Sequence, residues 1–194
     1  FGRSGHMFAS ERYDIQPDMM ITAKAITNAS APLGALFLKE KFFEPFKDGT
    51  TIFPHGYTFA AHPVACAVAL ANLDIYDREK IVENVNKNSP IFRKTLEKLH
   101  DLPIVGDVRG DGYFFAIELV KDKKTKETLT PAEAEKILRG FLPGAFWAEG
   151  LYCRADDRGN PVVQLAPPLT IGPKEFDQLE QIMRKVLTEA WAKL

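Results

Sequence analysis

Lys24 stands in the run MMITAKAI, directly behind a short apolar stretch. A lysine beside buried residues costs free energy unless its charge is paired or its pKa falls. With its amine desolvated, such a lysine is a nucleophile able to form a Schiff base with an aldehyde. If the strand instead ends at Ala23, Lys24 is an ordinary solvated lysine. Thr58 is a second candidate, in FPHGYTFAAHP, where Gly56 permits a tight turn. A threonine hydroxyl plus free backbone N–H groups ahead of a helix start can hold a phosphate. The same residues also suit a plain capping loop. Arg154, in LYCRADD, offers a planar fork that grips a carboxylate through two hydrogen bonds. Asp156 or Asp157 could claim that fork in a surface pair instead. His55 and His62 read as structural histidines, because no metal-ligand constellation surrounds either.

These side chains need elements to place them. MMIT (Met19–Thr22) and LGALFL (Leu33–Leu38) read as short buried strands between turn formers such as Pro17, Pro32 and Gly34. From His62, HPVACAVALANLDIYD predicts a helix with Pro63 in its first turn, and its alanines allow close packing against a neighbour. From Arg78 the texture turns amphipathic. KIVENVNKNSPIFRKTLEKLHDL gives two helices, or one kinked at Pro90. VRGDGYFFAIELV predicts a strand after a Gly-Asp-Gly turn, and Thr130-Pro131 starts a helix with Thr130 as N-cap. LYCRAD and VVQLAP read as strands flanking DDRGN, and the last segment as an amphipathic helix through Phe176, Leu179, Met183, Val186 and Leu187. Residues 78–194 thus form a compact α/β unit, while residues 1–77 look like the tail of a larger sheet-based domain.

Composition narrows the function classes. The chain has 194 residues, 45% hydrophobic and 26% charged, with a formal net charge of -1. That is enough to bury a core, and without a basic face nucleic acid is not an expected partner. Its apolar runs are too short and too broken by charge to span a membrane. Cys66 and Cys153 lack CxxC spacing and read as buried free thiols in a reducing, cytoplasmic compartment.

Taken together, the segments resemble a linear series of motifs of the class III (ω-transaminase) aminotransferases, which depend on pyridoxal phosphate. FGRSGHMFASERYDIQPDMMITAKAI, APLGALF, HGYTFAAHPVACAVALANLDI, VRGDGYFFAIEL and a late CRA followed by PPL come in the family's order and at its distances. The resemblance implies an α/β fold of PLP-dependent transferase fold type I, as in aspartate aminotransferase. Only part of it would be here: the tail of the large cofactor-binding domain (1–77) plus the C-terminal small domain (78–194). It also implies roles. Lys24 falls on the Schiff-base lysine that doubles as general base and acid. Thr58, with the backbone around Tyr57, falls on the phosphate contact to the neighbouring subunit's cofactor, so a homodimer or dimer of dimers is expected. Arg154 matches a mobile arginine that holds the substrate carboxylate. The expected reaction moves an amino group from an ω-amino acid, diamine or amine to a keto acid such as pyruvate. An aminomutase, racemase or dialkylglycine-type decarboxylase shares the same lysine and phosphate motifs, and a truncated non-catalytic homologue is a further alternative.

Two departures stand out. The family usually has glycine after the lysine, whereas Ala25 stands here and requires a conventional backbone at that position. The family's glycine-rich phosphate loop, stacking aromatic and ring-nitrogen aspartate all precede the FGR segment. These 194 residues alone are therefore expected to be a poor catalyst.

Overall fold

The computed structural model describes all 194 residues. They divide into two compact units, Phe1 with Met7–Ile81 and Gly2–His6 with Val82–Leu194. No helix is long and apolar enough to cross a membrane.

In the first unit a single helical turn, α1 (Ala9–Arg12), precedes β1 (Met19–Thr22), which pairs antiparallel with β2 (Ala35–Leu38). The pairing sets Met19 opposite Leu38 and Thr22 opposite Ala35. Both strands lie where the sequence puts them, but they are not buried. Ile21 is 83% exposed, and Leu36, Phe37 and Leu38 are all exposed as well. A two-stranded ribbon needs a layer on its face to hide such side chains, and its own unit supplies none. An apolar trough of about 860 Å³, lined by Met19, Leu36, Leu38, Phe42, Phe46 and Phe53, lies open beside the ribbon. The unit's long element is α2 (Pro63–Arg78), with Pro63 in the first turn as the sequence predicts.

The second unit holds a continuous core. It starts with α3 (Ile81–Glu97), a single helix that contains Pro90. Val85, Phe92 and Leu96 are fully buried along one stripe, on both sides of the proline. That shared burial keeps the two halves together despite the missing N–H. Next come β3 (Val105–Asp111) and β4 (Phe114–Leu119), a hairpin in which Asp111 faces Phe114. The turn between them needs Gly112, whose φ is +56°. A Cβ at Gly112 would also run into the Arg3 carbonyl, at 2.1 Å.

The helical segment beyond it begins with the expected cap. Thr130 Oγ1 accepts from Glu133 N–H at 3.3 Å, while the Glu133 carboxylate accepts from Thr130 N–H at 2.8 Å. From this cap α4 (Pro131–Ala134) runs through a π-helical stretch, Glu135–Phe141, into α5 (Leu142–Ala148). β5 (Arg154–Asp156) and β6 (Val162–Leu165) complete an antiparallel sheet of order β3-β4-β6-β5. One face of β4 (Phe115, Ile117, Leu119) is buried, as period-2 alternation requires. The long final helix α6 (Pro173–Trp191) buries Phe176, Leu179, Met183, Val186 and Leu187. Each such side chain contributes about 1.5–3 kcal/mol of apolar burial. Phe92, Tyr113, Phe115 and Phe176 meet at the centre, with ring centroids 4.6–5.6 Å apart.

Candidate functional site

Lys24 opens a short 3-10 turn, Lys24–Thr27, immediately after β1. Ala23 ahead of it is extended, at φ -160° and ψ -165°. Lys24 itself has φ +53°. Left-handed backbone costs an L-residue about 1–2 kcal/mol, and lysine has no short polar side chain to offset this locally. Such strain persists only where the surroundings over-determine it, and it gathers at functional sites. Ala25 has no positive φ, so the departure from glycine is accommodated by ordinary backbone, as expected.

The surroundings do over-determine the turn. The N–H of Ala29 donates to Lys24 O at 3.0 Å and that of Asn28 to Ala25 O at 3.2 Å. Thr27, only 1% exposed, donates its hydroxyl to Ala31 O at 2.7 Å. From α2 the Asn72 amide reaches across to the carbonyls of Ala25 and Ile26, at 2.9 and 3.2 Å. Ala65 and Ala69, the buried residues of α2, share the face that carries Asn72, so a small-residue stripe lets the turn approach. Sequence reasoning passed over Asn72. The available signal was a polar residue at the next helical step along the stripe begun by Ala65 and Ala69.

The Lys24 side chain is exposed. Of the two readings that the residues left open, the structure shows the solvated lysine: β1 ends at Thr22, and the ribbon beside Lys24 is itself uncovered. Two residues earlier, Thr22 Oγ1 is buried and has no hydrogen-bond partner. An orphaned hydroxyl of this kind costs about 1–3 kcal/mol.

Tyr57 and Thr58 sit in the exposed loop ahead of α2. Ala60 donates to Tyr57 O at 2.9 Å and His62 to Phe59 O at 3.3 Å, closing the turn. The N–H groups of Tyr57 and Thr58 have no backbone acceptor. His55 lies edge-on between Phe53 and Tyr57, at 5.8 and 5.1 Å. It is exposed, and its ring contacts are these two.

In the second unit, Arg154 begins β5 at the edge of the sheet. It lines an open groove of about 340 Å³ together with Phe114, Tyr152, Gln164 and Pro167. Its guanidinium lies 2.7 Å from the buried carboxylate of Asp156, two residues along the same strand face. Arg158 grips that carboxylate too, at 2.8–3.2 Å through Nε and Nη2. The hydrogen bonds from Arg158, aided by the charge of Arg154, hold the Asp156 carboxyl well below the usual carboxylate range. The acid pairing open to Arg154 in the sequence is therefore formed. Cys66 and Cys153 are both free thiols and only partly buried. Desolvation pushes the Cys153 thiol up to about 12, so it is not a nucleophile at neutral pH.

Comparison with known proteins gives this geometry a context. The family model "Aminotransferase class-III" matches residues 1–187. A probable aminotransferase of Mycobacterium tuberculosis is 56% identical over 100% of this chain and 41% of that protein. A putrescine–pyruvate aminotransferase of Pseudomonas aeruginosa is 37% identical over 99% of this chain and 41% of its own length. Among solved structures, a PMP-bound aminotransferase from Vibrio fluvialis superposes with a TM-score of 0.88 at 31% identity, covering 100% of this chain and 42% of that one. The chain therefore spans about two fifths of the length of the relatives it matches.

Proposed function

The chain belongs to the class III aminotransferase family, whose members depend on pyridoxal phosphate, and from that premise we propose that the intact protein is an ω-transaminase. It moves an amino group from an ω-amino acid, diamine or amine to a keto acid such as pyruvate. Residues 1–77 then close the cofactor-binding domain, and residues 78–194 form the small domain.

The residues present fit the cofactor. Lys24 supplies a primary amine on a strained, doubly tethered turn, which is the observation that carries the reading. Beside it lies the unsatisfied Thr22 hydroxyl. In the loop before α2, the Thr58 hydroxyl and the unengaged amides of Tyr57 and Thr58 make a donor set suited to a phosphate. We assign Lys24 as the residue that holds the cofactor covalently, and Tyr57 and Thr58 as donors to the phosphate of a second subunit's cofactor. On that assignment the homodimer is the smallest complete unit. The free thiols support a reducing, cytoplasmic setting.

When bound, the cofactor supplies an electron sink for the carbon that loses a proton. Lys24 Nζ would hold the cofactor and would take up and return the proton that the substrate loses. Arg154 leaves Asp156 to bind the carboxylate of a keto acid or amino acid through its fork. Its departure does not strand the buried Asp156 carboxylate, because the Arg158 hydrogen bonds remain. An uncharged amine leaves Arg154 on Asp156 and the groove apolar.

The test is stoichiometry. Intact protein given pyridoxal phosphate, putrescine or β-alanine, and pyruvate should form alanine in step with donor loss. Donor loss without alanine would overturn transamination in favour of another reaction at the same lysine.

A further inference from the structure

The left-handed backbone of Lys24 raises a question that its role as cofactor lysine leaves open: what stops it relaxing. Its own turn provides only backbone hydrogen bonds and the Thr27 hydroxyl, which reaches Ala31 O at 2.7 Å and Lys24 O at 3.4 Å. The contact from outside the turn is Asn72. Its two amide hydrogens match the two consecutive carbonyls, Ala25 O at 2.9 Å and Ile26 O at 3.2 Å. Only the NH2 end of an asparagine can serve two carbonyl oxygens at once, so the chemistry of the acceptors fixes its orientation. These carbonyls belong to the two residues directly after Lys24. Their peptide planes flank Ile26, so Asn72 fixes the torsions of Ile26 and anchors the turn that Lys24 opens, with Ala25 between Ile26 and the lysine itself.

The placement follows from the helix. Ala65, Ala69 and Asn72 fall on one face of α2, and Ala65 and Ala69 are 6% exposed. Ile26, 7% exposed, and Thr27, 1% exposed, are the buried residues of the turn. Larger residues in place of the alanines would hold the turn too far off for a side chain as short as asparagine to reach. The alanine stripe and the asparagine therefore work as one device.

We propose that Asn72 is a positioning residue for Lys24: it holds the strained turn from α2 and so sets the direction and reactivity of the ε-amine without touching cofactor or substrate. This rests on Lys24 being the cofactor lysine. A residue important only for folding would lower stability and leave the amine's chemistry unchanged. A positioning residue changes how fast the amine captures the aldehyde and the pH at which the attached cofactor changes its spectrum.

The experiment uses the intact protein freed of cofactor, in wild-type, Asn72→Asp and Thr27→Val forms. Asn72→Asp keeps the shape and removes both donors. Thr27→Val removes the hydroxyl from the other side of the turn and leaves α2 untouched, so it serves if the first variant does not fold. Pyridoxal phosphate is added, and its visible absorbance is followed over time and pH. Covalent attachment is trapped with borohydride and mapped by peptide mass. Attachment should slow about tenfold in Asn72→Asp, with a shifted pH midpoint, over and above the lower melting temperature that the lost hydrogen bonds bring. Thr27→Val should move the same way by a few-fold. Unchanged attachment rate and midpoint in the variants, with wild-type label on Lys24, would overturn the role of Asn72 and leave Lys24 as cofactor lysine. A lowered melting temperature alone would do the same. Wild-type label on a different lysine would overturn both.

Discussion

The two units of this chain bury their residues very differently. In the unit of Gly2–His6 and Val82–Leu194, sheet and helices close over one core in which Phe92, Ile104, Ile117, Phe176 and Met183 are fully hidden. In the unit of Phe1 and Met7–Ile81, Ile21, Ile52, Phe53, Tyr57 and Phe59 are each at least 70% exposed, and little beyond Ile26, Ala65 and Ala69 is buried. Lys24, Tyr57 and Thr58 lie in the second of these, the unit with the bare apolar surface. Arg154 lies on the edge strand of the well-packed one. The contrast separates two jobs. One unit is stabilised by its own core, and the other leaves most of its large apolar side chains exposed.

That contrast can be broken by experiment. The largest expected effect is on chemistry: in the intact protein, Lys24→Ala should reduce turnover by about 10³-fold or more, since it removes both the covalent link and the proton carrier. Alanine formation near the wild-type rate would remove Lys24 from the mechanism. Next comes stability. Phe92→Ala in the 194-residue chain should cost about 3–5 kcal/mol by urea denaturation, because it opens a cavity among four rings. Ile21→Ser, at an 83% exposed site, should stay within about 0.5 kcal/mol. Similar losses for both would erase the asymmetry. Arg154→Ala should lower kcat/KM for a keto acid by about 10–100-fold, the worth of a charge-assisted fork, with little change for an uncharged amine. Equal losses for both substrates would take the carboxylate role away from Arg154.

A smaller effect than that of Phe92 is a pH signature in the packed unit. Thr130→Ala should cost about 1 kcal/mol at neutral pH by loss of the cap. Glu133, its capping partner, is held down to about 2, first by the Thr130 hydrogen bonds and then by Lys121. A depressed carboxylate stabilises above its unfolded value and loses that effect as pH falls. Thr130→Ala keeps the backbone N–H bond, the larger cause, and loses the hydroxyl's. The part of the difference carried by the hydroxyl's bond to Glu133 should therefore be full above pH 4.5 and fade towards pH 2. A constant difference across that range would mean that the cap does not act through Glu133.

The same contrast explains how much could be seen in the sequence. In the packed unit, period and turn chemistry agree with tertiary structure: the Thr130 cap, the Gly112 turn and the buried stripe of α6 all fall where the residues place them. Pro90 was ambiguous, because a helix held by burial on both sides of a proline looks locally like two helices. In the other unit the strands were legible as strands, but their burial was not. Apolar residues such as Ile21 and Leu36 signal a covering layer without saying which chain segment supplies it. For the same reason the residues left two readings of Lys24 open, dry or solvated, and could not choose between them; its side chain is exposed. Asn72 stands out only as a polar residue on the stripe of Ala65 and Ala69; that its partners are the backbone carbonyls of Ala25 and Ile26 leaves no mark in the side-chain pattern. The pairing of Arg154 with Asp156 was open to inspection, since residues two apart on a strand share a face.

The central claim is that the ε-amine of Lys24 captures the cofactor's aldehyde. It is tested most directly by incubating the intact protein with pyridoxal phosphate, reducing with borohydride and sequencing the labelled peptide by mass. The account predicts a single label, on Lys24. A label on any other lysine, or none in a protein that still transaminates, would contradict it.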